Sequence, residues 1–382
     1  MNEFKKETFS GSKTDSEWTE IPVSIAQGAE AGYPVIIRRG IVSRTGEIIS
    51  RFNPSGVFII TNSTVRNLHG DKPAASLADK GYTPVIIEMG DGERYKNCEE
   101  FIRVCGELIK SGANRKSLIL AFGGGVTGDM AGFAASTVMR GIPFIQIPTT
   151  LVAQTDSSVG SKTGIDTPWG KNLMGAFYHP KAVIIDPDLL YTLPHCEFSA
   201  GMAEVVKTAV IRGGDFPEFL EQVPSNLMEI PGIILEEIVT RSVKLKSELV
   251  SRDMFEQNVR AYLNLGHTIG HGIEAASGFN GYSHGQAVSI GMAGSLILSE
   301  KLGILQDKNL TAKIINLLVR FGLPVKYSNI RADSIMEYMK FDKKRQGGGV
   351  RFVLVKEAGS LHIEDIDNRQ ILLDTLNELA ED

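Results

Sequence analysis

Residues 117–150 read SLILAFGGGVTGDMAGFAASTVMRGIPFIQIPTT. Residues 118–122 are an unbroken apolar run, which is typical of a strand covered on both faces. Three glycines follow, and Asp129 stands at the start of an alanine-rich helical pattern. A strand, a glycine turn and a helix start allow backbone N–H groups to approach an anion closely. The stretch therefore predicts an anion-binding edge of a parallel sheet.

A second buried strand is predicted over residues 144–147, and it leads into Pro148-Thr149-Thr150, whose hydroxyls can reach the same ligand. Charged and amide side chains are dense around it, at Arg140, Asp156, Lys162, Lys171 and Asn172. So much polarity beside the ends of two strands indicates a binding or catalytic site.

Neither of two common phosphate-binding motifs is established in this region. A P-loop requires a glycine before its Lys-Ser/Thr pair, and here Ser161 precedes Lys162-Thr163, which excludes the motif. The dinucleotide fingerprint G-x-G-x-x-G has a loose match in residues 123–128. A plain glycine turn explains that match equally well, so the fingerprint alone decides nothing.

Length and charge narrow the class of protein. The chain has 382 residues with 42% hydrophobic content, enough for two domains with full cores. Its net charge of -5 excludes a global basic field for nucleic acid, so an anionic ligand must be held locally. Cys98, Cys105 and Cys196 have no metal-like spacing and are typical of reduced thiols in the cytoplasm. No apolar run is long enough for a membrane span.

The order of patterns predicts an α/β fold with two domains. Strand and helix patterns alternate from about residue 35 to 190, which favours a parallel sheet covered on both faces. Helical patterns dominate after Pro194, one of them over residues 257–277, with a short hairpin predicted near residues 350–355. We expect a domain over residues 1–190, beginning with a polar tail of about 20–30 residues, and a helical domain over residues 191–382.

The sequence also predicts two helix caps. Asn97 is expected to cap a helix, with Glu100 as its reciprocal partner, and Ser199 is expected to cap a later helix.

A candidate metal site lies in the second half of the chain. His267 and His271 are four residues apart, so both imidazoles project from one helical face. His284 follows in a glycine-flanked turn, and Glu204 lies on an earlier helix, so imidazole and carboxylate ligands for catalytic zinc are present. A surface histidine pair with a histidine cap is the alternative, and a Glu204–Lys207 helix ion pair explains that spacing too.

The motifs taken together resemble the 3-dehydroquinate synthase family of the sugar phosphate cyclase superfamily, in unbroken order from about residue 35 to 375. The matching elements are Asp129 after the glycines, MRG at 139–141, PTTL at 148–151, GKNLMGAF at 170–177, AEVVK at 203–207, RAYLNLGHTIGH at 260–271, HG at 284–285 and DKK at 342–344.

The resemblance implies a Rossmann-like NAD domain followed by an all-helical metal-binding domain, in a homodimeric cytoplasmic enzyme. The implied reaction converts 3-deoxy-D-arabino-heptulosonate 7-phosphate to 3-dehydroquinate and phosphate, a step of the shikimate pathway to aromatic amino acids. It proceeds by transient oxidation of the substrate by NAD+, elimination of phosphate, reduction of the intermediate by NADH and aldol closure of the ring. No nucleic-acid or membrane partner is expected.

The resemblance also implies the role of each site residue. The metal, Zn2+ or Co2+, is expected on Glu204, His267 and His284. Expected NAD contacts are Asn62, Glu93, Lys96, Gly124, Gly125, Asp129, Thr149, Thr150 and Lys171. Expected substrate contacts are Arg140, Asp156, Lys162, Asn172, Lys207, Lys246, Glu256, Arg260, Asn264, His271 and Lys343.

Three positions depart from the family pattern. The family usually has His-Gly-Glu where this chain has His284-Gly285-Gln286, so glutamine replaces glutamate and a charge near the metal is lost. Ser161 replaces a usual glycine. Asn62 stands where an acidic residue often contacts the adenosine ribose, which bears on the preference for NAD over NADP.

Three rival functions remain from the sequence. Another cyclase, of the aminodehydroquinate or 2-deoxy-scyllo-inosose synthase type, would share most motifs. A metal-dependent alcohol dehydrogenase would share the architecture without the phosphate-binding residues. A catalytically silent binding protein is the third, and Gln286 alone favours it.

Overall fold

The computed structural model describes residues 18–25, 32–253, 259–278, 281–341 and 349–381. They form two compact units. The sheet unit comprises the described residues of 13–194 and 231–254, and the helical unit those of 195–230 and 255–382. The domain boundary near residue 190 stays a prediction.

Strands and helices alternate in the first half of the chain, and helices predominate in the second half. The strands are β1 (Thr19–Ser24), β2 (Gly32–Ile37), β3 (Val57–Asn62), β4 (Val85–Met89), β5 (Leu118–Gly123), β6 (Phe144–Pro148), β7 (Lys162–Thr167), β8 (Gly170–Phe177), β9 (Ala182–Ile185), β10 (Val350–Glu357) and β11 (Ser360–Ile366). The α-helices are α1 (Thr45–Ser50), α2 (Ser63–His69), α3 (Asp71–Ala78), α4 (Cys98–Lys110), α5 (Gly125–Thr137), α6 (His195–Arg212), α7 (Phe216–Glu221), α8 (Gly232–Arg252), α9 (His267–Ala276), α10 (His284–Lys301), α11 (Leu310–Arg320), α12 (Ala332–Phe341) and α13 (Arg369–Glu378).

The main sheet has seven strands in the order β1-β2-β9-β6-β5-β3-β4. All neighbouring pairs are parallel except β1 with β2. Along β5, Leu118 and Leu120 face one core cluster, whereas Ile119 and Ala121 face the other. A strand buried on both faces is mostly apolar, and the apolar residues 118–122 therefore predicted β5 from the sequence. The prediction of a doubly covered parallel sheet is confirmed.

The carboxyl ends of four strands lie at one edge of this sheet. Asn62 at the end of β3 is the register partner of Met89 on β4, and Gly123 on β5 pairs with Pro148 on β6. Ligands of open α/β sheets bind outside such an edge. The loops that follow these strands therefore carry the candidate site of the sheet unit.

Two further parts of the sheet unit were not evident from the sequence. β7 and β8 form an antiparallel hairpin, and β8 is almost entirely exposed. Helix α8 packs with the sheet unit, where the Ser247 hydroxyl donates to the Pro22 carbonyl at 2.6 Å.

The helical unit is built around α10, which is buried along most of its length. Its core joins Ile269 of α9 and Ile290 of α10 to Phe352 of β10 and Leu376 of α13. The β10–β11 hairpin confirms the strand pair predicted near residues 350–355. Within the described ranges, no helix has the length and apolar character needed to cross a membrane.

Three predictions of helix extent or capping are wrong. The helix predicted over 257–277 is interrupted, because Gly266 has a φ of 80° and separates a 3-10 turn, Val259–Asn264, from α9. Ser199 lies inside α6, and its hydroxyl donates to the carbonyl of Phe321 at 2.6 Å instead of capping the helix.

The third concerns the cap of α4. Asn97 accepts from the N–H of Glu100 at 3.0 Å, as predicted. The Glu100 carboxylate, however, accepts from Gly90 N and pairs with Arg103 instead of returning to Asn97.

Candidate active site

The glycine turn after β5 meets the end of β6. Thr149 N donates to the carbonyl of Gly123 at 2.9 Å, and a Cβ added to Gly124 would lie 3.0 Å from Thr150 Cγ2. Gly124 is the N-terminal flank of α5, whose first residue is Gly125. Backbone N–H groups at a helix start, with no side chain in front of them, suit the phosphates of a nucleotide. The structure thus brings these four expected NAD contacts together.

Lys96 links three separate segments of the sheet unit. Its ammonium donates to Asp129 Oδ2 and to Asn172 Oδ1, each at 2.6 Å. Asn172 adopts a positive φ of 57° on the β7–β8 hairpin, and its N–H donates to Asp166 at 2.8 Å. Lys96 therefore connects the loop after β4, the start of α5 and the β7–β8 hairpin.

Glu93 belongs to the same charged group. Burial raises the pKa of its carboxyl, and Asp166 and Asp129 raise it further, against the opposing effect of Lys96 and Lys171. The pKa of Lys96 is raised because Asp129 and Glu93 outweigh its burial. Sequence reasoning missed Asp166, because its approach to Asn172 depends on the pairing of β7 with β8.

Asn62 has a structural role that the sequence did not reveal. Its side-chain oxygen caps α2 by accepting from Val65 N at 2.8 Å. Its amide group donates to Asp91 Oδ1 at 3.1 Å, and Thr64 donates to the other oxygen at 2.7 Å. A carboxylate is thus present beside Asn62, supplied by the loop after β4. Sequence reasoning missed Asp91, although its position in Gly90-Asp91-Gly92 just after a strand was a usable signal.

Asp156 and Lys246 form a second ion pair in the sheet unit. Lys246 Nζ of α8 lies 2.6 Å from Asp156 Oδ1, and the lysine side chain is only 10% exposed. Asp156 lies in a π-helical turn, Ala153–Ser157, a geometry that is frequent at functional sites. Lys162 and Arg140 are exposed, and Arg140 has a positive φ of 64°.

Three helices of the helical unit carry the candidate metal ligands. Glu204 lies on α6, His267 is the first residue of α9, and His284 is the first residue of α10. His284 was expected in a turn, and that detail is wrong because Ser283 caps α10 directly before it. A Cβ on Gly285 would lie 2.3 Å from the carbonyl oxygen of Ala200, so glycine is required where α10 meets α6.

The three side chains converge. His284 Nε2 lies 3.5 Å and His267 Nε2 lies 3.8 Å from Glu204 Oε1. One ligand atom from each residue lies within 4.8 Å of the others. Lys207 Nζ contacts the other oxygen of Glu204, and both residues are buried. Among the described residues, no donor makes a well-oriented hydrogen bond to either Glu204 oxygen.

Protonation in this cluster follows from burial and charge. Burial alone would raise the pKa of Glu204, but Lys207 and the two imidazoles outweigh it and hold that pKa well below its usual range. Burial, reinforced by Lys207, lowers the pKa of His267 to about 3. Burial would also lower the pKa of His284, yet Glu204 and Glu274 raise it to about 10. The site thus offers a carboxylate and a neutral imidazole, together with an imidazole that must release a proton to ligate.

This donor set fits a divalent metal. A buried carboxylate without well-oriented hydrogen bonds and two converging imidazoles make three protein ligands, the usual number at a catalytic zinc site with one open position. Cobalt accepts the same nitrogen and oxygen ligands. His271, Glu274 and His284 form a neighbouring group of the same kind, in which His271 is exposed.

The other expected substrate contacts are only partly described. Arg260 is buried in the 3-10 turn before α9, and Asn264 ends that turn. His271 lies on α9, with its ring centroid 5.3 Å from that of His267. Glu256 and Lys343 lie outside the described residues.

The fold and these two clusters define a class of protein in which a Rossmann-like sheet unit accompanies a helical unit with a buried carboxylate–histidine metal site. Family models agree with this class. The 3-dehydroquinate synthase N-terminal model matches residues 86–200 and the C-terminal model matches residues 201–345. A curated 3-dehydroquinate synthase from Thermodesulfovibrio yellowstonii is 43% identical over 351 residues, 91% of this chain and 98% of that protein. The chain belongs to the 3-dehydroquinate synthase family.

Solved structures give the same result at the level of fold. The structure of 2-deoxy-scyllo-inosose synthase with carbaglucose-6-phosphate, NAD+ and Co2+ matches with a TM-score of 0.83 and 26% identity, covering 94% of this chain and 99% of that one. The 2-epi-5-epi-valiolone synthase of Streptomyces hygroscopicus with NAD+ and Zn2+ matches with a TM-score of 0.84 and 26% identity, covering 93% and 98%.

Proposed function

We propose that this chain is the enzyme that converts 3-deoxy-D-arabino-heptulosonate 7-phosphate to 3-dehydroquinate and phosphate. The observation that carries the proposal is the 43% identity to a curated 3-dehydroquinate synthase over 98% of that protein. The reaction requires NAD+ and a divalent metal, zinc or cobalt, and structures of related cyclases contain both kinds of group.

Glu204, His267 and His284 are the proposed metal ligands. When bound, the metal polarises the substrate hydroxyl as a Lewis acid and NAD+ accepts a hydride and later returns it. The protein holds Glu204 ionised and His267 neutral, so two ligands are ready without proton release. Lys207 balances the carboxylate from within the helix, since its ammonium contacts Glu204 three residues earlier.

The edge of the parallel sheet is the proposed NAD site. The turn at Gly124 and Gly125 lets the pyrophosphate approach backbone N–H groups at the start of α5. Thr149 and Thr150 lie against that turn. The Lys96–Asp129 pair fixes one side of the site and positions Asn172 on the hairpin. The remaining proposed contacts are Asn62, Glu93 and Lys171.

The substrate carries a carboxylate and a phosphate, so its proposed partners are mostly cationic and amide side chains. Lys246 is held in place by Asp156, and Arg260 is a buried guanidinium able to bind a carboxylate bidentately. The proposed set is completed by Arg140, Lys162, Asn172, Lys207, Glu256, Asn264, His271 and Lys343. Fixed charges of this kind orient the substrate and stabilise the leaving phosphate.

A homodimer in the cytoplasm is part of the proposal. Three free cysteines agree with a reducing compartment. The β7–β8 hairpin exposes large apolar side chains, among them Trp169 at 85% and Leu173 at 63%, which is typical of surfaces that another protein covers.

A different cyclase activity is the alternative, because the two solved relatives, a 2-deoxy-scyllo-inosose synthase and a 2-epi-5-epi-valiolone synthase, share the fold. Their 26% identity is well below the 43% of the dehydroquinate synthase relative. Arg260, Lys246 and Lys162 together also favour a substrate with a carboxylate.

The test is turnover with limiting cofactor. The purified protein is incubated with Zn2+, substrate and NAD+ far below the substrate concentration, while phosphate and NADH absorbance are followed. Many phosphates per NAD+ and no accumulating NADH are expected, because the same carbon skeleton returns the hydride. NADH in proportion to substrate without phosphate would indicate a dehydrogenase. Phosphate release only from a sugar phosphate lacking the carboxylate would indicate another cyclase.

A further inference from the structure

We propose that Glu274 is the residue that orients His284 as a metal ligand, through the approach of its carboxylate to Nδ1. The proposal rests on the proposed metal ligands Glu204, His267 and His284, and Glu274 is not one of them. Glu274 lies on α9, and its side chain is only 8% exposed.

The two nitrogens of His284 face two different carboxylates. Nε2 lies 3.5 Å from Glu204 Oε1, the oxygen that His267 Nε2 also approaches. Nδ1 lies 3.6 Å from Glu274 Oε2. A neutral imidazole ligates through one nitrogen and donates through the other, and the partner of the donating nitrogen decides which is which. Glu274 therefore selects the tautomer in which Nε2 is free to ligate on the Glu204 side.

Helix periodicity places Glu274 where this role requires it. His267, His271 and Glu274 are spaced by four and three residues along α9, so they share one face of that helix. Burial of a carboxylate is costly unless it is paired. Glu274 lies on the face of α9 that carries a metal ligand, and its carboxylate is paired at 3.6 Å with the second nitrogen of another proposed ligand, His284.

Gln286, the position at which the family usually has glutamate, has a different role. Its amide oxygen accepts from Ser283 N at 2.9 Å, and its own N–H donates to the Ser283 hydroxyl at 3.4 Å. These two bonds form a capping box at the start of α10. The carboxylate that supports His284 thus comes from α9, not from the residue two positions beyond the histidine.

The neighbouring group of His271, Glu274 and His284 offers a competing arrangement, in which Glu274 would itself be a ligand. The deep burial of Glu204, against the exposure of His271, favours the first arrangement. In the second arrangement His271 would be indispensable for metal binding. The two arrangements are therefore separable by mutation.

The experiment measures metal binding by the metal-free full-length protein, by competition with a chromophoric chelator for Zn2+ and by the d–d absorption of Co2+. Glu274→Gln is expected to bind one metal per chain with affinity lower by about 10–100-fold and an altered Co2+ spectrum. Glu274→Asp, which keeps the charge, should recover part of the loss. His271→Gln should retain one metal. Glu378→Gln, at a surface pair with Lys301, is the matched control and should behave as the wild type.

Unchanged affinity and an unchanged Co2+ spectrum in Glu274→Gln would overturn the proposal, as would loss of the metal in His271→Gln. If Glu274→Gln fails to fold by circular dichroism, Glu274→Asp decides, because its shorter carboxylate should still change the spectrum. A wild-type protein that binds no metal would contradict the proposed metal site itself, which is a different result from either of these.

Discussion

Asn62 and Asp91 are joined by a 3.1 Å hydrogen bond from the side-chain amide of the first to the carboxylate of the second. Thr64 fixes the other carboxylate oxygen at 2.7 Å. β3 and β4 are neighbours in the sheet, so the loop after β4 delivers this carboxylate beside the end of β3. A carboxylate at such a place accepts hydrogen bonds from the ribose hydroxyls of NAD and repels the 2′-phosphate of NADP. Asp91 thus places a negative charge beside Asn62, which carries none, and we expect this charge to act on the choice of cofactor.

Asp91→Asn is expected to reduce the preference for NAD+ over NADP+. Loss of one negative charge should lower the ratio of kcat/KM values for the two cofactors about tenfold, or about 1.4 kcal/mol. The measurement is steady-state phosphate release with each cofactor. Asp79→Asn, an exposed aspartate after α3, is the control. An unchanged ratio in Asp91→Asn would assign the discrimination to another residue.

Lys96→Met should weaken NAD+ binding and destabilise the protein. The substitution leaves Asp129, 22% exposed, without the ammonium at 2.6 Å, and also removes a donor to Asn172. Removing one partner of a largely buried pair costs roughly 3 kcal/mol in unfolding free energy. Denaturant unfolding and NAD+ titration are the measurements. Adding Asp129→Asn should recover part of the stability but not the cofactor affinity, and recovery of both would make the pair structural only.

The sheet was predictable from the sequence because its strands are buried on both faces. Each of β3, β5, β6 and β9 is buried throughout, so each is mostly apolar, although β3 ends in Thr61-Asn62 and β6 contains Gln146. The hairpin β7–β8 was not predictable in this way. β8 is exposed along nearly its whole length, and its sequence mixes Lys171 and Asn172 with Leu173 and Met174.

The candidate site was predictable only where a residue belongs to a local motif. Residue type and spacing gave Glu204, His267, His271 and His284 as candidates, and the family resemblance implied the set Glu204, His267 and His284. The fold brings these three together. Glu274 could not be predicted in this way, because its partner, His284, lies on another helix. Asp91 had a local signal in its position after a strand, but its contact with Asn62 depends on the pairing of β3 with β4. The role of Gln286 depended on knowing that α10 begins at His284.

Gln286→Glu is expected to leave metal affinity within about threefold of the wild type. Glutamate at this position also forms a capping box, and its charge is favourable at a helix N-terminus by a few tenths of a kcal/mol, about 0.3. Gln286→Ala should lower the free energy of unfolding by about 0.5–1 kcal/mol with little change in metal affinity. The measurements are denaturant unfolding and chelator competition. A large gain of metal affinity in Gln286→Glu would place its carboxylate at the metal instead of the cap.

Glu100 should contribute to stability in a pH-dependent way. The hydrogen bond from Arg103 outweighs the effect of burial and, with Gly90 N, lowers the pKa of Glu100 below its ordinary value of 4.5. The contribution of the ionised form is therefore present above pH 4.5 and is lost as the pH falls through the folded-state pKa. Glu100→Gln should be less stable by about 1 kcal/mol at pH 7.

The measurement for Glu100 is urea unfolding at several pH values from 7 downwards. The difference between Glu100→Gln and the wild type should shrink below pH 4.5. Glu107→Gln removes a more exposed carboxylate from the same arginine and should have a smaller effect at pH 7. A difference that stays constant with pH would mean that the mutation acts through packing.

The pair of Lys246 with Asp156 should be coupled in stability and also affect substrate binding. Its atoms lie 2.6 Å apart between α8 and the π-helical turn, with side-chain exposures of 10% and 28%. Lys246→Met and Asp156→Asn each leave one charge without this partner, so the double mutant should be more stable than the sum of the single effects by about 1–3 kcal/mol. If Lys246 also recognises the substrate carboxylate, Lys246→Met should raise KM at least tenfold, and Asp156→Asn should raise KM less, because Asp156→Asn retains the cation.

Urea unfolding measures the coupling in stability, and phosphate release measures the kinetic constants. Strong coupling in stability with an unchanged KM in Lys246→Met would mean that the pair only links the helix to the turn. Recognition of the substrate carboxylate would then be assigned to Arg260.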